Sequence, residues 1–347
     1  MSDAAATSDF TFLLCSERSG SNLITKLLDA HPDICGPSPS HVVRAFAPNL
    51  WRYGDLEENT SWSALCADMT SYLDAQLGVW HTSWTADELA MSTPERSLRG
   101  LITAIYRREA GAAGKSLTLV KENQAGRLAP YLFKDFPESR FLFMVRDPRD
   151  MARSLKASRT NPGGVWAAAS LWAQDQIDNL AVLGMLRRTD RLHLVRYEDL
   201  LADPEARLTE ICTWLGVSYS PAMLSFHEQP LTAANAERIG AWENLSKPLL
   251  SDNAGRYRDE LSEDEIRHIE TICRDQMAFF GYPPDFEAAP ERDRDVAAAV
   301  EALEAEVAAR VEDVAASERE LRSRRQAAID RILTRNLDAA RPGADTE

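Results

Sequence analysis

The 347-residue sequence lacks several features, and each absence narrows its fold and function. No apolar run reaches the length of about 18 residues that a membrane-spanning helix needs, so none is expected. The opening stretch, MSDAAATSDF, has neither a basic flank nor an apolar centre, which predicts no secretory signal and a cytoplasmic protein. The 5 cysteines are widely spaced and form no C-x-x-C pair, which argues against a disulfide framework or a zinc site.

An excess of positive charge is also missing. The formal net charge is -15 and the pI is about 5.0, which disfavours a broad nucleic-acid-binding surface. A small basic pocket for an anionic ligand remains compatible with this balance. Hydrophobic residues make up 44% and charged residues 27% of the chain, the composition of an ordinary soluble globular protein.

The sequence does contain short apolar runs that alternate with helical patterns. The strand candidates are FTFLLCS (10–16), LTLVK (117–121), RFLFMVR (140–146), LHLVRYE (192–198) and, more weakly, DICG (33–36). This alternation predicts an α/β fold with a central parallel β-sheet flanked by helices. Ligands of such sheets bind beyond the carboxyl ends of the strands, so polar residues that follow the strands should converge at one edge.

Composition divides the chain into a disordered N-terminus (1–9), one large domain (10–285) and a helical extension (286–347). The stretch GYPPDFEAAPERDRD (281–295) is typical of a domain end and linker. Beyond it, Val300, Val307, Val314 and Leu321 recur every seven residues, but arginine and serine interrupt the companion seam of the heptad. This pattern predicts a long C-terminal helix that packs on the body or pairs weakly with a second copy as a homodimer. A solvated helical tail is the alternative.

The stretch LLCSERSGSNLITKLLDAHP (13–32) has the strand–turn–helix order of a phosphate-binding loop. Aligned with the Walker pattern, Ser21 replaces the lysine and Asn22 the magnesium-binding hydroxyl, while the cation has moved to Arg18. A helix N-terminus still offers backbone N–H groups, Gly20 permits close approach, and the Ser19 and Ser21 hydroxyls add donors. We therefore expect an anion held without a tightly bound metal. The alternative is a loop that merely caps its helix.

A sulfuryl group matches this loop, because it carries one negative charge and needs less counter-charge than a terminal phosphoryl group. CSERSGSN followed by LLDAHP resembles the 5′-phosphosulfate loop of sulfotransferases that use PAPS (3′-phosphoadenosine 5′-phosphosulfate). The resemblance implies a P-loop-like sulfotransferase fold and PAPS as co-substrate with no required metal. It assigns the loop's donor contacts to Arg18, Ser19, Gly20, Ser21 and Asn22, with Arg18 standing where many members carry a lysine.

Three later segments extend the resemblance to about residue 282. FLFMVRDPRDMARS is similar to the family's 3′-phosphate motif, which implies phosphate contacts from Arg146 and Ser154. VRYEDLLADP is similar to a segment whose tyrosine lies near the adenine, here Tyr197. SDNAGRYRDEL is similar to a late loop that offers an arginine to the 3′-phosphate, with Arg256 the best candidate and Arg258 the next.

The resemblance implies transfer of the sulfuryl group to an acceptor hydroxyl or amine, with release of adenosine 3′,5′-bisphosphate. Family members use histidine or glutamate as the base, which gives two candidates, His41 in CGPSPSHVVRAF and Glu122 in LVKENQ. Asn123 stands where some members have the base histidine, and this departure favours His41, whose ordinary pKa suits neutral pH. Alternatively, His41 is a surface histidine and Glu122 forms a salt bridge.

The acceptor is not specified by the sequence. Trp51, Trp62, Trp80 and Trp84 either line an apolar pocket or pack in the core. Small molecules, glycans, lipids and peptides all remain open as acceptors. Two rival functions also remain, a binding or scaffold protein that has kept the fold without activity, and a nucleotide kinase with a degenerate loop.

Overall fold

The computed structural model describes residues 9–93, 95–158, 164–250, 252–286, 302 and 314–335, and every structural statement below concerns these residues. The predicted disorder of residues 1–8 lies outside them. So does most of the predicted linker and the part of the heptad pattern that contains Val300 and Val307.

Five parallel strands form the central sheet in the order β2-β3-β1-β4-β5. They are β1 (Phe10–Leu14), β2 (Ile34–Cys35), β3 (Leu117–Lys121), β4 (Arg140–Val145) and β5 (Leu192–Arg196). The predicted α/β class and all five strand candidates are confirmed. The last strand is shorter than predicted because Tyr197 already begins a helix.

Helices cover both faces of the sheet, as parallel sheets require. They are α1 (Ser21–Asp29), α2 (Val42–Phe46), α3 (Asn59–Asp74), α4 (Ala86–Met91), α5 (Leu98–Ala112), α6 (Ala129–Asp135), α7 (Pro148–Lys156), α8 (Gly164–Leu186), α9 (Tyr197–Ala202), α10 (Pro204–Leu215), α11 (Pro230–Arg238), α12 (Tyr257–Glu260), α13 (Glu263–Phe280) and α14 (Ala316–Thr334). Short 3-10 segments lie at Ala47–Tyr53, Ala125–Leu128, Pro221–Glu228 and Gly240–Ser246. Among the helices that the structure describes, none has both the length and the apolar character needed to cross a bilayer.

Strand β1 shows how the sequence pattern builds this arrangement. Phe10, Phe12 and Leu14 pack into the core on one face of the sheet, and Leu13 and Cys15 pack into the core on the other. Successive side chains of a strand point to opposite faces, so an uninterrupted apolar run fits a strand that is covered on both sides. The polar residues after β1 are thereby left at the carboxyl edge.

The described part of the predicted C-terminal helix, α14, packs on the body of the same chain. Ala328 and Ile332 are buried against the core that also contains α2 and α3. At the end of the helix, Arg335 Nε donates a hydrogen bond to Asp68 Oδ2 at 2.7 Å. The homodimer through this helix stays a prediction.

The docked position of α14 predicts different effects of two adjacent substitutions. Ile332→Ala should lower the free energy of unfolding by about 2–5 kcal/mol, because it leaves a cavity where a buried side chain was. Leu333→Ala is the matched control, because Leu333 is 41% exposed and its loss should change stability much less. Urea denaturation of both variants measures the difference, and equal losses would contradict the docking of this face.

Candidate active site

The turn between β1 and α1 is tight and is built from left-handed backbone. Arg18 has φ 59° and Gly20 has φ 88°. The Ser19 hydroxyl donates to the Ser16 carbonyl at 2.6 Å, which closes the turn from inside. Helix α1 starts directly after Gly20, and no described side chain caps it. Its first-turn N–H groups are therefore left for a ligand.

The Tyr197 ring packs directly against this turn and also contacts Arg146 and Asn253. A Cβ atom on Gly20 would lie 2.4 Å from Tyr197 Cδ2, so only glycine fits under the ring. The Arg146 guanidinium stacks on the same ring at 4.2 Å from its centroid. The Tyr197 hydroxyl accepts a hydrogen bond from Asn253 Nδ2 at 2.8 Å. One buried aromatic side chain thus touches the loop, the end of β4 and the late loop.

A cluster of arginines surrounds the turn. Arg18 Nε donates to Ser154 Oγ at 3.1 Å, and Arg146 donates to the carbonyls of Arg18 and Asn253 at 3.0 and 2.8 Å. Burial, followed by the charges of Arg146 and Arg153, lowers the pKa of Arg18. Within the described residues, the buried Nε atoms of Arg146 and Arg153 have no hydrogen-bond partner. These groups make a site for an anion with more than one oxygen.

The acidic residues of the RDPRD stretch support this cluster from behind. Asp147 caps α7 by accepting from the Arg149 N–H, and its carboxylate also pairs with the Arg149 guanidinium at 2.7 Å. Arg149 reaches on to Glu270 at 2.6 Å. Asp150 accepts from the Gly255 N–H at 2.6 Å and so fixes the late loop. These contacts fix the start of α7 and the late loop, the two segments next to Arg146 and Arg153.

The late loop, which was expected to offer Arg256 or Arg258 to the site, contacts the arginine cluster through a different residue. Arg256 is half exposed and pairs with Glu260 at 2.6 Å, and Arg258 pairs with Asp285 at 3.2 Å. Neither arginine donates to the cluster in this arrangement. The loop reaches it instead through Asn253, which binds both Arg146 and Tyr197.

The two candidate bases lie next to each other. Glu122 is fully buried, and its two carboxylate oxygens accept from the N–H groups of Val43 and Arg44 at 3.1 and 3.4 Å. His41 Nδ1 lies 3.5 Å from Glu122 Oε2. Burial lowers the pKa of His41, while the neighbouring Glu122 opposes that shift. The arrangement makes Glu122 the partner of a partly exposed histidine.

The end of β3 brings a second cation that the sequence reasoning did not assign to the site. Lys121 Nζ donates to Asn22 Oδ1 at 2.7 Å, and burial lowers the pKa of Lys121. Beside it, Asn123 Nδ2 donates to Glu17 at 2.7 Å, and the Asn123 N–H lies 3.4 Å from His41 Nδ1. The position of Lys121 at the end of a strand beside the loop was the available signal.

The tryptophan-rich segment serves packing for the most part. Trp62 and Trp80 belong to the core, and Arg108 stacks on Trp84 at 4.2 Å. Trp51 is 59% exposed. A separate cavity of 840 Å³ opens beside Arg18, between the Gly240–Ser246 segment and α14.

The Sulfotransferase family model matches residues 11–221, more than half of the chain, and the chain belongs to this family. It is 25% identical over 293 residues to Nodulation protein NoeE of Sinorhizobium fredii, covering 78% of this chain and 65% of that protein. It is 24% identical over 297 residues to Protein-tyrosine sulfotransferase A of Caenorhabditis elegans, covering 80% and 68%. The chain thus spans about two thirds of the length of these relatives.

A solved structure supports the fold. The Sulfotransferase Domain from the Curacin Biosynthetic Pathway superposes with a TM-score of 0.52 at 18% identity, covering 77% of this chain and 96% of that one. The predicted family and the predicted sulfotransferase fold are confirmed.

The contact between Gly20 and Tyr197 predicts the effect of adding one methyl group. Gly20→Ala should lower the free energy of unfolding by more than about 1 kcal/mol, because alanine meets both a left-handed backbone and the Tyr197 ring. Gly184→Ala is the control, since Gly184 lies in α8 with no atom within 4 Å of the added Cβ, and it should stabilise by roughly 0.5–1 kcal/mol. Thermal denaturation measures both. A neutral Gly20→Ala variant would contradict the close packing.

Proposed function

We propose that this chain is a PAPS-dependent sulfotransferase that moves the sulfuryl group of PAPS to an acceptor hydroxyl or amine and releases adenosine 3′,5′-bisphosphate. The observation that carries the proposal is the convergence of Arg18 and Arg146, from two different strand ends, on one buried cluster with Ser154. A nucleotide with phosphate at both its 3′ and 5′ positions needs two cationic ends of this kind. The unpaired Nε atoms of Arg146 and Arg153 supply donors for the 3′-phosphate.

The 5′ end of the donor belongs at the turn. The first-turn N–H groups of α1 and the Ser21 hydroxyl would bind the phosphosulfate. The Ser19 hydroxyl, expected to be a further donor, is instead taken up by the Ser16 carbonyl. Lys121, which donates to Asn22, and Arg18, which lies in the turn itself, would stabilise the negative charge that builds on the bridging oxygen as the S–O bond breaks. Lys121 thereby supplies from β3 the cation that the Walker lysine would supply from the loop itself.

His41 is the base in this proposal and Glu122 is its positioning partner. Nδ1 lies against both the Asn123 N–H, which can donate to it, and Glu122. In the tautomer whose Nδ1–H donates to Glu122, the Asn123 hydrogen bond is given up and Nε2 is left to take the proton of the acceptor hydroxyl. Glu122 is enclosed by backbone N–H groups and has no exposed surface through which an acceptor could reach it. The low pKa of His41 keeps its imidazole neutral, the form a base requires, at neutral pH.

The cavity beside Arg18 is our candidate acceptor entrance. Its lining carries charged groups of both signs, among them Arg238, Glu243 and Arg324. Such a lining suits a polar, hydroxyl-bearing acceptor, such as a glycan, better than a lipid. A cytoplasmic location remains part of the proposal.

Titration with adenosine 3′,5′-bisphosphate, followed by thermal shift, tests donor binding. Wild type should be stabilised in a concentration-dependent way. Arg146→Ala should weaken binding by about 10- to 100-fold, because it removes charge-assisted hydrogen bonds worth roughly 1.5–3 kcal/mol. Arg207→Ala, which removes a partly exposed arginine of α10 that pairs with Glu210, is the control and should bind as wild type does. No stabilisation of wild type at millimolar ligand would favour the scaffold alternative.

The pH dependence of turnover tests the base, with an acceptor found by screening hydroxyl and amine compounds with PAPS. Because His41 must be neutral and burial lowers its pKa, the acid limb of kcat should fall below pH 6.5. Glu122→Gln removes a group that raises this pKa, so the limb should move to still lower pH while kcat decreases. His41→Gln should reduce kcat by about 10²–10⁴-fold with unchanged nucleotide affinity. Unchanged kcat in that variant would remove His41 from the mechanism.

A further inference from the structure

A buried arginine of α14 contacts the loop that carries His41. The two terminal nitrogens of Arg325 donate to the carbonyls of Tyr72, at 2.5 Å, and of Ser40. Its guanidinium also stacks on the Tyr72 ring, 3.2 Å from the centroid. Ser40 directly precedes His41, and the Tyr72 hydroxyl donates to the His41 carbonyl at 3.1 Å. Arg325 therefore binds the backbone just before His41 directly, through the Ser40 carbonyl. It also binds Tyr72, whose hydroxyl holds the His41 carbonyl.

The backbone at His41 requires such support. His41 has φ 60°, a left-handed conformation that is strained for a non-glycine residue and persists only where surrounding contacts enforce it. Ser40 is wholly buried, and its hydroxyl lies 3.0 Å from the Tyr106 hydroxyl. With Arg325, these contacts fix the two peptide groups that orient the imidazole.

The chemistry of Arg325 favours positioning over a purely stabilising role. Among the described residues no carboxylate pairs with it, and burial lowers its pKa to about 10. Burying a cation opposite carbonyl groups alone is a poor way to gain stability. Two other contacts already anchor α14, from Glu318 to the Gly240 N–H at 3.0 Å and from Arg335 to Asp68 at 2.7 Å.

We propose that Arg325 is a positioning residue for the base, and that α14 completes the active site by holding the Ser40–His41 backbone so that Nδ1 stays against Glu122. The inference rests on the proposed function, since it assumes that His41 acts in the reaction. The residue lies beyond the segment matched by the family model, which ends at 221.

An NMR titration of His41 tests this without an acceptor. Protein labelled with ¹³C at histidine Cε1 is titrated as wild type and as Arg325→Ala and Arg325→Lys, with His41→Gln assigning the signal. Arg325→Lys keeps the charge but cannot donate to both carbonyls in a fork. Arg331→Ala, on the exposed side of α14, is the matched control. Arg335→Ala is the control for weaker docking of the helix.

In wild type, the pKa of His41 should lie below its ordinary value of 6.5, because burial, together with the charges of Arg44 and Lys121, outweighs the opposing effect of Glu122. Both Arg325 variants should raise the pKa towards 6.5 as the imidazole becomes hydrated, while Arg331→Ala and Arg335→Ala leave it as in wild type. A His41 titration unchanged by both Arg325 variants overturns the proposal. An equal rise in Arg335→Ala also overturns it, because docking alone would then explain the effect.

Thermal shift with adenosine 3′,5′-bisphosphate, run on the same samples, separates this inference from the proposed function. The Arg325 variants should bind the nucleotide with affinity within about twofold of wild type. Loss of binding in the Arg325 variants alone would show that the residue supports the donor site instead of the base. Failure of wild type to bind would contradict the proposed function, while the His41 titration would still report on Arg325.

Discussion

The structure depends on the crowding of positive charge at one edge of the sheet. In a chain with a net charge of -15, Arg18, Arg146 and Arg153 lie close enough for the second and third to disfavour the charge of the first. Carbonyl groups and an aromatic ring hold the first two in place without neutralising them. Under the proposed function, a multiply charged anion that binds here would relieve this repulsion, and the cluster would favour such a ligand over one of lower charge.

Two groups of side chains lie along this edge of the sheet, the arginine cluster and the pair of candidate bases. The ends of β1 and β4 carry the arginine cluster. Acidic residues hold the segments around it, Asp147 through its pair with Arg149 and Asp150 through the Gly255 N–H. The end of β3 carries Lys121 and Glu122, which join the cluster to the histidine loop. Parallel strands make this possible, because their carboxyl ends meet at one edge however far apart they lie in sequence.

The same rule explains how much of the site could be predicted from the sequence. Apolar runs bounded by turn residues located the strands, and the polar residues after them had to converge, which brought Arg18 and Arg146 together in advance. Ser154, inside α7, was predicted only from the resemblance to the family's 3′-phosphate motif. Lys121 also stands at a strand end, but no role in the site was predicted for it. Arg325 was missed because its contacts with the carbonyls of Tyr72 and Ser40 are tertiary, and no local pattern encodes them. For Arg256, the local sequence also indicated an alternative to phosphate binding. Glu260 follows it by one helical turn, and oppositely charged residues at that spacing commonly form an ion pair.

The interlock of Gly20 with Tyr197 restricts how relatives of this chain can diverge. A side chain at position 20 demands a smaller group at 197, and a smaller group there removes the surface on which Arg146 stacks. The two positions are therefore expected to covary, because a change at either one alone should destabilise the fold. The contact of one aromatic ring thus couples the residue types that are allowed in the first loop to those allowed in a segment almost 180 residues later.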